Sequence, residues 1–348
     1  MIPYTSHLIE KGSGIKQALA QLNELAADAI LFVVDQERRL LGSLTDGDVR
    51  RGFLRGLTFE SRIEEFIQPN PHYFKPNDFT IHKVIEYRRK NYKIIPIVDS
   101  ELRVLNIINF RIHKSYLPAD AVIMAGGRGE RLRPMTDSVP KPLLPVGGKP
   151  IIQHNLERLI SYGFENIWIS VRYLGEKIVE ELGSGEEFGV SIEYVHETSP
   201  LGTIGAVSLI DAFKSPYVLV TNSDILTNLD YEDFFVDFVN NDAALSVVTI
   251  PYTVSIPYAV LETNNGHVVS FKEKPDYTYY SNGGIYLVKR EVFDYIPVNS
   301  FYNATDLMEQ LIRDRMKVVS YPLHGYWLDI GRPEDYKKAQ EDIKHISF

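Results

Sequence analysis

Two stretches of alternating apolar and polar residues echo each other near the start of the chain. AILFVVDQERRLLGSL (29–44) returns as KIIPIVDSELRVLNII (93–108), an offset of 64 that lays Asp35 on Asp99, Glu37 on Glu101, Arg39 on Arg103 and Leu41 on Leu105. Each copy predicts an apolar strand, a polar turn and a second, alternating strand. An amphipathic helix is expected ahead of each: Ile15, Leu19, Leu22 and Leu25 share one face, and Val84, Ile85 and Tyr87 mark the other. Beyond residue 118 the pattern changes. Ala121–Met124 is a short apolar run of buried-strand type, followed by Gly126-Gly127-Arg128-Gly129. Helical spacing through Ile152, Leu156, Leu159 and Ile160 ends at Gly163, and Ile167–Val171 is another buried strand. Strand, loop, helix and strand in that order predict a parallel α/β sheet.

The 348 residues leave room for two domains at roughly 150 residues each. Charge separates them. Residues 1–117 carry 17 Lys+Arg against 14 Asp+Glu (net +3), and residues 118–348 carry 20 against 32 (net −12), which together give −9. Leu117-Pro118 is therefore the expected boundary, where a proline also interrupts a continuing helix. An acidic chain argues against a nucleic-acid partner, which needs clustered positive charge. With no cysteine there is no disulfide framework and no thiolate metal site. No apolar run approaches ~18 residues, so no membrane span or membrane partner is expected. The opening residues lack a basic patch followed by an apolar stretch, and a cytoplasmic location is expected.

In the first domain the sharper feature is Gly42-Ser43-Leu44-Thr45-Asp46-Gly47-Asp48. A carboxylate in such a loop can accept hydrogen bonds from both hydroxyls of a ribose. Over about residues 5–115 the chain resembles a tandem CBS pair, a small α+β module. The resemblance implies dimerisation, hence a homo-oligomer, and an adenine nucleotide whose ribose and phosphate face Thr45 and Asp48. The second copy departs from the pattern, with Asn106, Asn109 and Ile112 where Gly42, Thr45 and Asp48 stand in the first. The alternative is that Thr45 and Asp48 cap a helix beginning at Val49.

In the second domain a glycine-rich loop after a strand lets backbone N–H groups close around phosphates. It is not a dinucleotide fingerprint, because Leu132 stands where a third glycine is wanted, and no Gly-Lys-Ser/Thr ends it as in a P-loop. Arg131 and Lys141, the latter between Pro140 and Pro142, add two cations suited to a triphosphate. From about Asp120 to Ala339, AGGRGERLRPMT…PKPLLPVGGKP resembles the sugar-1-phosphate nucleotidyltransferases.

That resemblance implies an α/β fold with a Rossmann-like mixed, mainly parallel sheet, and a reaction that joins a nucleoside monophosphate to a sugar 1-phosphate with release of pyrophosphate, as in surface-carbohydrate synthesis. It assigns Gly126, Gly127 and Gly129 to the nucleotide, Arg131 to its phosphates and Lys141 to the reacting α-phosphate. Asp224, in Asn222-Ser223-Asp224 after the strand Val218–Thr221, and Asp329, in Trp327-Leu328-Asp329-Ile330-Gly331, would hold Mg²⁺, with Ser223 in place of the usual glycine. HETSPLGTIGA (196–206) resembles the base-selecting loop, with Glu197 at the base edge and Gly202 allowing close approach. Guanine offers two adjacent donors that a carboxylate accepts in parallel, whereas uracil and thymine suit an amide, so GTP is the expected donor and dTTP or UTP the alternative. Sugar-side positions by resemblance are Ala259 (a glycine in the family), Glu273, Asn282 and Gly284, with Lys274 facing the sugar's phosphate. A non-catalytic, nucleotide-sensing subunit is the alternative of another class; such relics normally lack a cation or a metal carboxylate, and Arg131, Lys141, Asp224 and Asp329 are all present.

Overall fold

A computed structural model describes residues 3–75 and 79–346, which divide into two units: Met1–Pro118 with Ser161–Gly163, and Ala119–Ile160 with Phe164–Phe348. No helix among the described residues is long and apolar enough to cross a membrane.

The first unit is α+β. Strand β1 (Leu8–Glu10) leads to α1 (Ile15–Leu25), then β2 (Ile30–Val34), β3 (Leu40–Thr45) and α2 (Asp46–Leu54). The second half repeats part of this as α3 (Ile81–Arg89), β4 (Ile94–Val98) and β5 (Val104–Asn109). Helix α1 buries Ile15, Leu22 and Leu25 against Leu31, Val33 and Leu44. The repeat is realised down to its hydrogen bonds. Asp35 Oδ1 accepts from the N–H groups of Glu37 and Arg39, both at 2.9 Å, and Asp99 Oδ1 accepts from those of Glu101 and Arg103, both at 2.8 Å. The two hairpins then meet as equals. Leu40 N–H donates to Leu102 C=O at 2.9 Å and Val104 N–H donates to Arg38 C=O at 3.0 Å, a local two-fold relation between positions 64 apart.

The copies diverge after the second strand. Helix α2 begins at Asp46, three residues before the expected start, because Thr45 is its N-cap and Asp48 closes a capping box. Asp48 Oδ2 accepts from Thr45 N–H at 2.9 Å and Thr45 Oγ1 at 2.6 Å, while Oδ1 accepts from Gln68 Nε2 at 3.0 Å and from the Arg51 guanidinium. In the second copy Asn109 Oδ1 accepts from Arg111 N–H at 3.0 Å and a turn replaces the helix.

The second unit is built on a seven-stranded sheet. In chain order its elements are β6 (Asp120–Ala125), a small hairpin β7 (Pro145–Val146) and β8 (Lys149–Pro150), α4 (Ile151–Ser161), β9 (Asn166–Val171), α5 (Gly175–Leu182), β10 (Ser191–His196), β11 (Tyr217–Asn222), β12 (Ile225–Thr227) and α6 (Tyr231–Asn240). They continue through β13 (Leu245–Ser255), β14 (Val260–Asn264), β15 (His267–Lys272), β16 (Asp276–Lys289), α7 (Ala304–Arg313), β17 (Val318–Pro322), β18 (Trp327–Asp329) and α8 (Pro333–Asp342). The sheet runs β10-β9-β6-β11-β16-β13-β17 and is parallel except at β16. From β6 the chain winds outward to β9 and β10, then returns to place β11 on the other side of β6. That reversal is where a crevice opens beyond the carboxyl ends of the strands. Val122, Trp168, Val218, Val220, Tyr286 and Val288 form the core beneath it.

Strands β13 and β16 outrun the sheet. A register shift between Val247 and Thr249 breaks their pairing, and beyond Thr249 residues 251–255 are exposed. This two-stranded arm continues into the β14–β15 hairpin.

The capping box yields a stability prediction. Burial pushes the Asp48 carboxyl upward, but hydrogen bonds from Thr45, Gln68 and Arg51 outweigh it and leave the group below its ordinary value. Its contribution is therefore present above the unfolded-state value of about 4 and fades as pH falls through the lowered one. Thr45→Ala should cost about 1 kcal/mol in urea unfolding at pH 7, and Asp48→Asn should flatten the acid limb of the stability curve; an unchanged limb would contradict this account.

Candidate active site

The crevice holds three adjoining cavities of about 630, 310 and 320 Å³. The first and second share Gly127, Lys141, Arg172 and Asp224, and the second and third share Thr203 and Asn222, so together they form one continuous trough.

The loop after β6 forms one wall of the first cavity. Gly129 sits at φ 64°, a left-handed conformation, and a Cβ there would stand 2.9 Å from Lys141 Cβ. Glycine thus lets the Lys141 stem pass behind the loop, while Thr136 Oγ1 donates to Gly129 C=O at 2.9 Å and pins the turn. Gly127 faces open space, with nothing within 4 Å of an added Cβ. Arg131, exposed, lines the same cavity.

Lys141, only 9 % exposed, opens a 3-10 turn and reaches two carboxylates from distant parts of the chain. Its Nζ pairs with Asp224 Oδ2 and lies 3.8 Å from Asp329 Oδ1. Strand pairing brings the acids together: Ile225 stands opposite Asp329 in the β12–β18 ladder, and Ile330 N–H donates to Asp224 C=O at 3.0 Å. The loop bearing Asp224 is held from both sides, by Ser223 N–H donating to Met124 C=O at 3.1 Å and by Asn155 Nδ2 donating to Ser223 C=O at 3.2 Å.

Two oxygens in this cluster lack hydrogen-bond partners although buried: Asp224 Oδ1 and Asp329 Oδ1. Burial, and then the neighbouring Asp224 charge, push the Asp329 carboxyl above its ordinary value, against the opposing pull of Lys141 and Arg131. Hard, under-satisfied carboxylate oxygens beside a polar cavity of about 630 Å³ fit a hard divalent cation such as Mg²⁺. Among the described residues no third acid or histidine joins them, so phosphate oxygens and water would complete the shell.

In the second cavity Glu197 is largely buried. Its carboxylate accepts from Ser170 Oγ and, at 3.2 Å, from Leu201 N–H, and Arg172 Nε lies 3.9 Å away. Gly126 packs on Glu197, where any Cβ would collide with Oε1. Gly202, at φ 79°, brings its backbone against Tyr302 C=O, 2.6 Å from where a Cβ would stand. Two lining residues escaped the sequence reading. Arg172 follows β9 and carries a buried Nε that makes no hydrogen bond, and Phe301 is 63 % exposed at the rim. The switch-point topology is the signal for Arg172, since it too stands at the carboxyl end of a parallel strand.

Asn282 and Gly284 line the third cavity; Asn282 Oδ1 accepts from Gly284 N–H at 2.9 Å and Tyr286 Oη at 3.0 Å. Ala259, Glu273 and Lys274 line none of the three cavities. They lie exposed on the arm, because β13 and β16 run past the sheet edge and carry the intervening loops with them.

The nucleotidyl transferase family model matches residues 120–346. The chain belongs to the nucleotidyl transferase family. This nucleotidyl transferase is 32 % identical over 230 residues to mannose-1-phosphate guanylyltransferase of Mycobacterium tuberculosis, covering 64 % of each chain. It is 32 % identical over 253 residues to a UTP–glucose-1-phosphate uridylyltransferase of Synechocystis, covering 66 % of this chain and 65 % of that one. Among solved structures it is similar to a putative glucose-1-phosphate thymidylyltransferase of Bacillus anthracis in complex with a sucrose (28 % identity, TM-score 0.55, 66 % of this chain and 97 % of that one). HddC of Yersinia pseudotuberculosis complexed with GMP-PN also aligns (27 % identity, TM-score 0.50, 65 % and 99 %). The chain spans a little under two thirds of the length of the curated relatives it matches.

The two loop glycines separate fold from binding. Gly129→Ala should destabilise the chain by about 1–2 kcal/mol, the cost of a left-handed residue with a Cβ, and also reduce the thermal shift produced by added nucleotide. Gly127→Ala should unfold at the wild-type urea midpoint yet lose the thermal shift produced by added nucleotide; a retained shift would remove Gly127 from the cradle.

Proposed function

We propose that this nucleotidyl transferase moves GMP from GTP to a sugar 1-phosphate. A phosphate oxygen of the sugar attacks the α-phosphorus, the bond from the α-phosphorus to its bridging oxygen breaks, and pyrophosphate leaves. The observation that carries the reading is the buried Lys141 ammonium between Asp224 and Asp329 beside the glycine-lined cavity. Such transfer needs positioning and charge neutralisation rather than a covalent nucleophile on the protein.

In this reading Gly126, Gly127 and Gly129 receive the triphosphate, Arg131 holds the departing pyrophosphate, and Lys141 offsets charge at the α-phosphate. A Mg²⁺ ion held by Asp224 and Asp329 would neutralise phosphate charge. Asn282 and Gly284 face the sugar. Glu197 keeps lone pairs beyond those used by Ser170 and Leu201, enough to accept from guanine N1–H and the N2 amino group. The guanylyltransferase relatives and the GMP-PN complex support guanine, while the uridylyl- and thymidylyltransferase relatives keep the same reaction with UTP or dTTP in view. We read the first unit as a nucleotide-sensing and dimerisation module; millimolar AMP or ATP should raise the melting temperature, and a flat curve would leave it a structural role only.

Pyrophosphate release should be fastest with GTP when each triphosphate is tested against hexose, heptose and amino-sugar 1-phosphates. Asp224→Asn should lower that rate at least 100-fold with an unchanged unfolding midpoint. Glu197→Gln should move preference toward UTP or dTTP. Full activity in Asp224→Asn sinks the metal-site assignment, and unaltered base preference in Glu197→Gln sinks the reading of guanine.

A further inference from the structure

The second cavity holds a charged pair that phosphoryl chemistry does not explain. Arg172 stands just past β9, where it lines both the first and the second cavity, and its Nε lies 3.9 Å from Glu197 Oε2. At that separation the two charges attract without a hydrogen bond. Arg172 Nε is buried and makes no hydrogen bond, although the side chain as a whole is 25 % exposed. Glu197 is held without it, by Ser170 Oγ and by Leu201 N–H at 3.2 Å. An arginine serving only to fix this carboxylate would close on it, because a buried donor left unsatisfied is costly.

Neighbouring residues, not the guanidinium, anchor the segment that carries Arg172. Tyr173 Oη donates to Asp137 C=O at 3.1 Å, and Lys177 Nζ donates to Ser138 C=O at 2.8 Å. Both bonds tie the turn after β9 to the chain that follows the glycine loop. Among the described residues two cations line the second cavity, and Lys141 is paired with Asp224. Arg172 is therefore the cation there with donors to spare.

Bases differ in the order of donors and acceptors along one edge. A carboxylate accepts from guanine N1–H and the guanine amino group, but it accepts equally from the amino groups of adenine and cytosine. Glu197 by itself thus leaves ATP and CTP admissible. A donor beside the carboxylate changes the outcome. Guanine carries the O6 acceptor next to N1–H, whereas adenine and cytosine place an amino donor at the corresponding position. A guanidinium meeting that amino group sets donor against donor, a contact that rejects the wrong base.

We propose that Arg172 donates to guanine O6 while Glu197 accepts from N1–H and the amino group, so that two side chains of opposite charge read one base edge and exclude adenine and cytosine. This rests on the proposed transfer of GMP for the identity of the base.

The test is equilibrium binding of triphosphates to the full chain with Mg²⁺ present, followed by calorimetry. 6-Thio-GTP keeps both guanine donors and replaces O6 by sulfur, a weak acceptor; ITP keeps O6 and N1–H and lacks the amino group. The wild-type chain should bind 6-thio-GTP about 10-fold or more weakly than GTP. Arg172→Met should weaken GTP by roughly 10- to 100-fold, bring GTP and 6-thio-GTP to similar affinities, and narrow the preference for GTP over ATP. Its ratio of GTP to ITP should stay that of the wild type, since the amino group belongs to Glu197. Equal weakening of every triphosphate makes Arg172 a phosphate contact and overturns the proposal. Loss of the GTP-to-ITP ratio as well makes it a support for Glu197 and also overturns it. If the variant does not fold, the wild-type chain decides alone: equal affinity for GTP and 6-thio-GTP removes the contact to O6. A wild-type chain that binds UTP or dTTP ahead of GTP fails the proposed base itself, whereas a GTP-preferring chain whose Arg172→Met variant still discriminates against 6-thio-GTP overturns this inference alone.

Discussion

The site depends on one buried ammonium serving two carboxylates. Lys141 Nζ reaches both Asp224 and Asp329, yet each acid keeps a buried oxygen without a hydrogen-bond partner. Leaving such groups unpaired is costly, and a stable chain keeps them only where a ligand completes them or the surroundings hold them rigidly. Both conditions bear on this cluster. A single apolar group, comprising Leu132, Leu144, Leu226, Leu328 and Ile330, contributes a neighbour to each loop that carries Arg131, Lys141, Asp224 and Asp329. Packing, rather than the charges themselves, thus fixes the distances on which the electrostatics depend.

Much of this was legible in sequence because it is local. The glycine loop, Lys141 between two prolines, and the acids at strand ends each follow from residues a few positions apart. The sheet supplies the remainder: β6 and β11 are adjacent, so the loop after each opens on the same crevice. Arg172 and Phe301 could not be read from short patterns, since nothing beside them marks a site until β9 and the Ser300–Asn303 segment are placed around the cavity. Ala259, Glu273 and Lys274 show the opposite failure. Their motif was visible, but a strand pattern fixes which residues pair, not where a hairpin longer than its sheet will point.

The repeat in the first unit shows the same division between local and distant information. The Asp35 and Asp99 turns are alike because each aspartate closes its own four-residue loop. Thr45 and Asp48 fit two readings in sequence, capping a helix or facing a ribose. Their geometry is that of the cap, with both Asp48 oxygens engaged by neighbours. A ribose seeking that carboxylate would compete with Gln68 and the Thr45 backbone, which sets a cost on any nucleotide bound there.

The glycine loop and the Glu197 side of the second cavity are not independent parts. Gly126 belongs to the glycine loop after β6, yet its missing side chain is what allows Glu197 to stand beside it. Glu197 in turn is fixed by Ser170 on β9 and by the Leu201 backbone, one residue before the Gly202 turn. A larger residue at 126 would push the carboxylate off Ser170 and the Leu201 backbone and move the loop that leads into the Gly202 turn. Arg172, lining the first two cavities with its Nε 3.9 Å from the Glu197 carboxylate, extends the same contact chain. The glycine loop and the Glu197 wall therefore share one van der Waals boundary, and a chain that altered one through position 126 would alter the other.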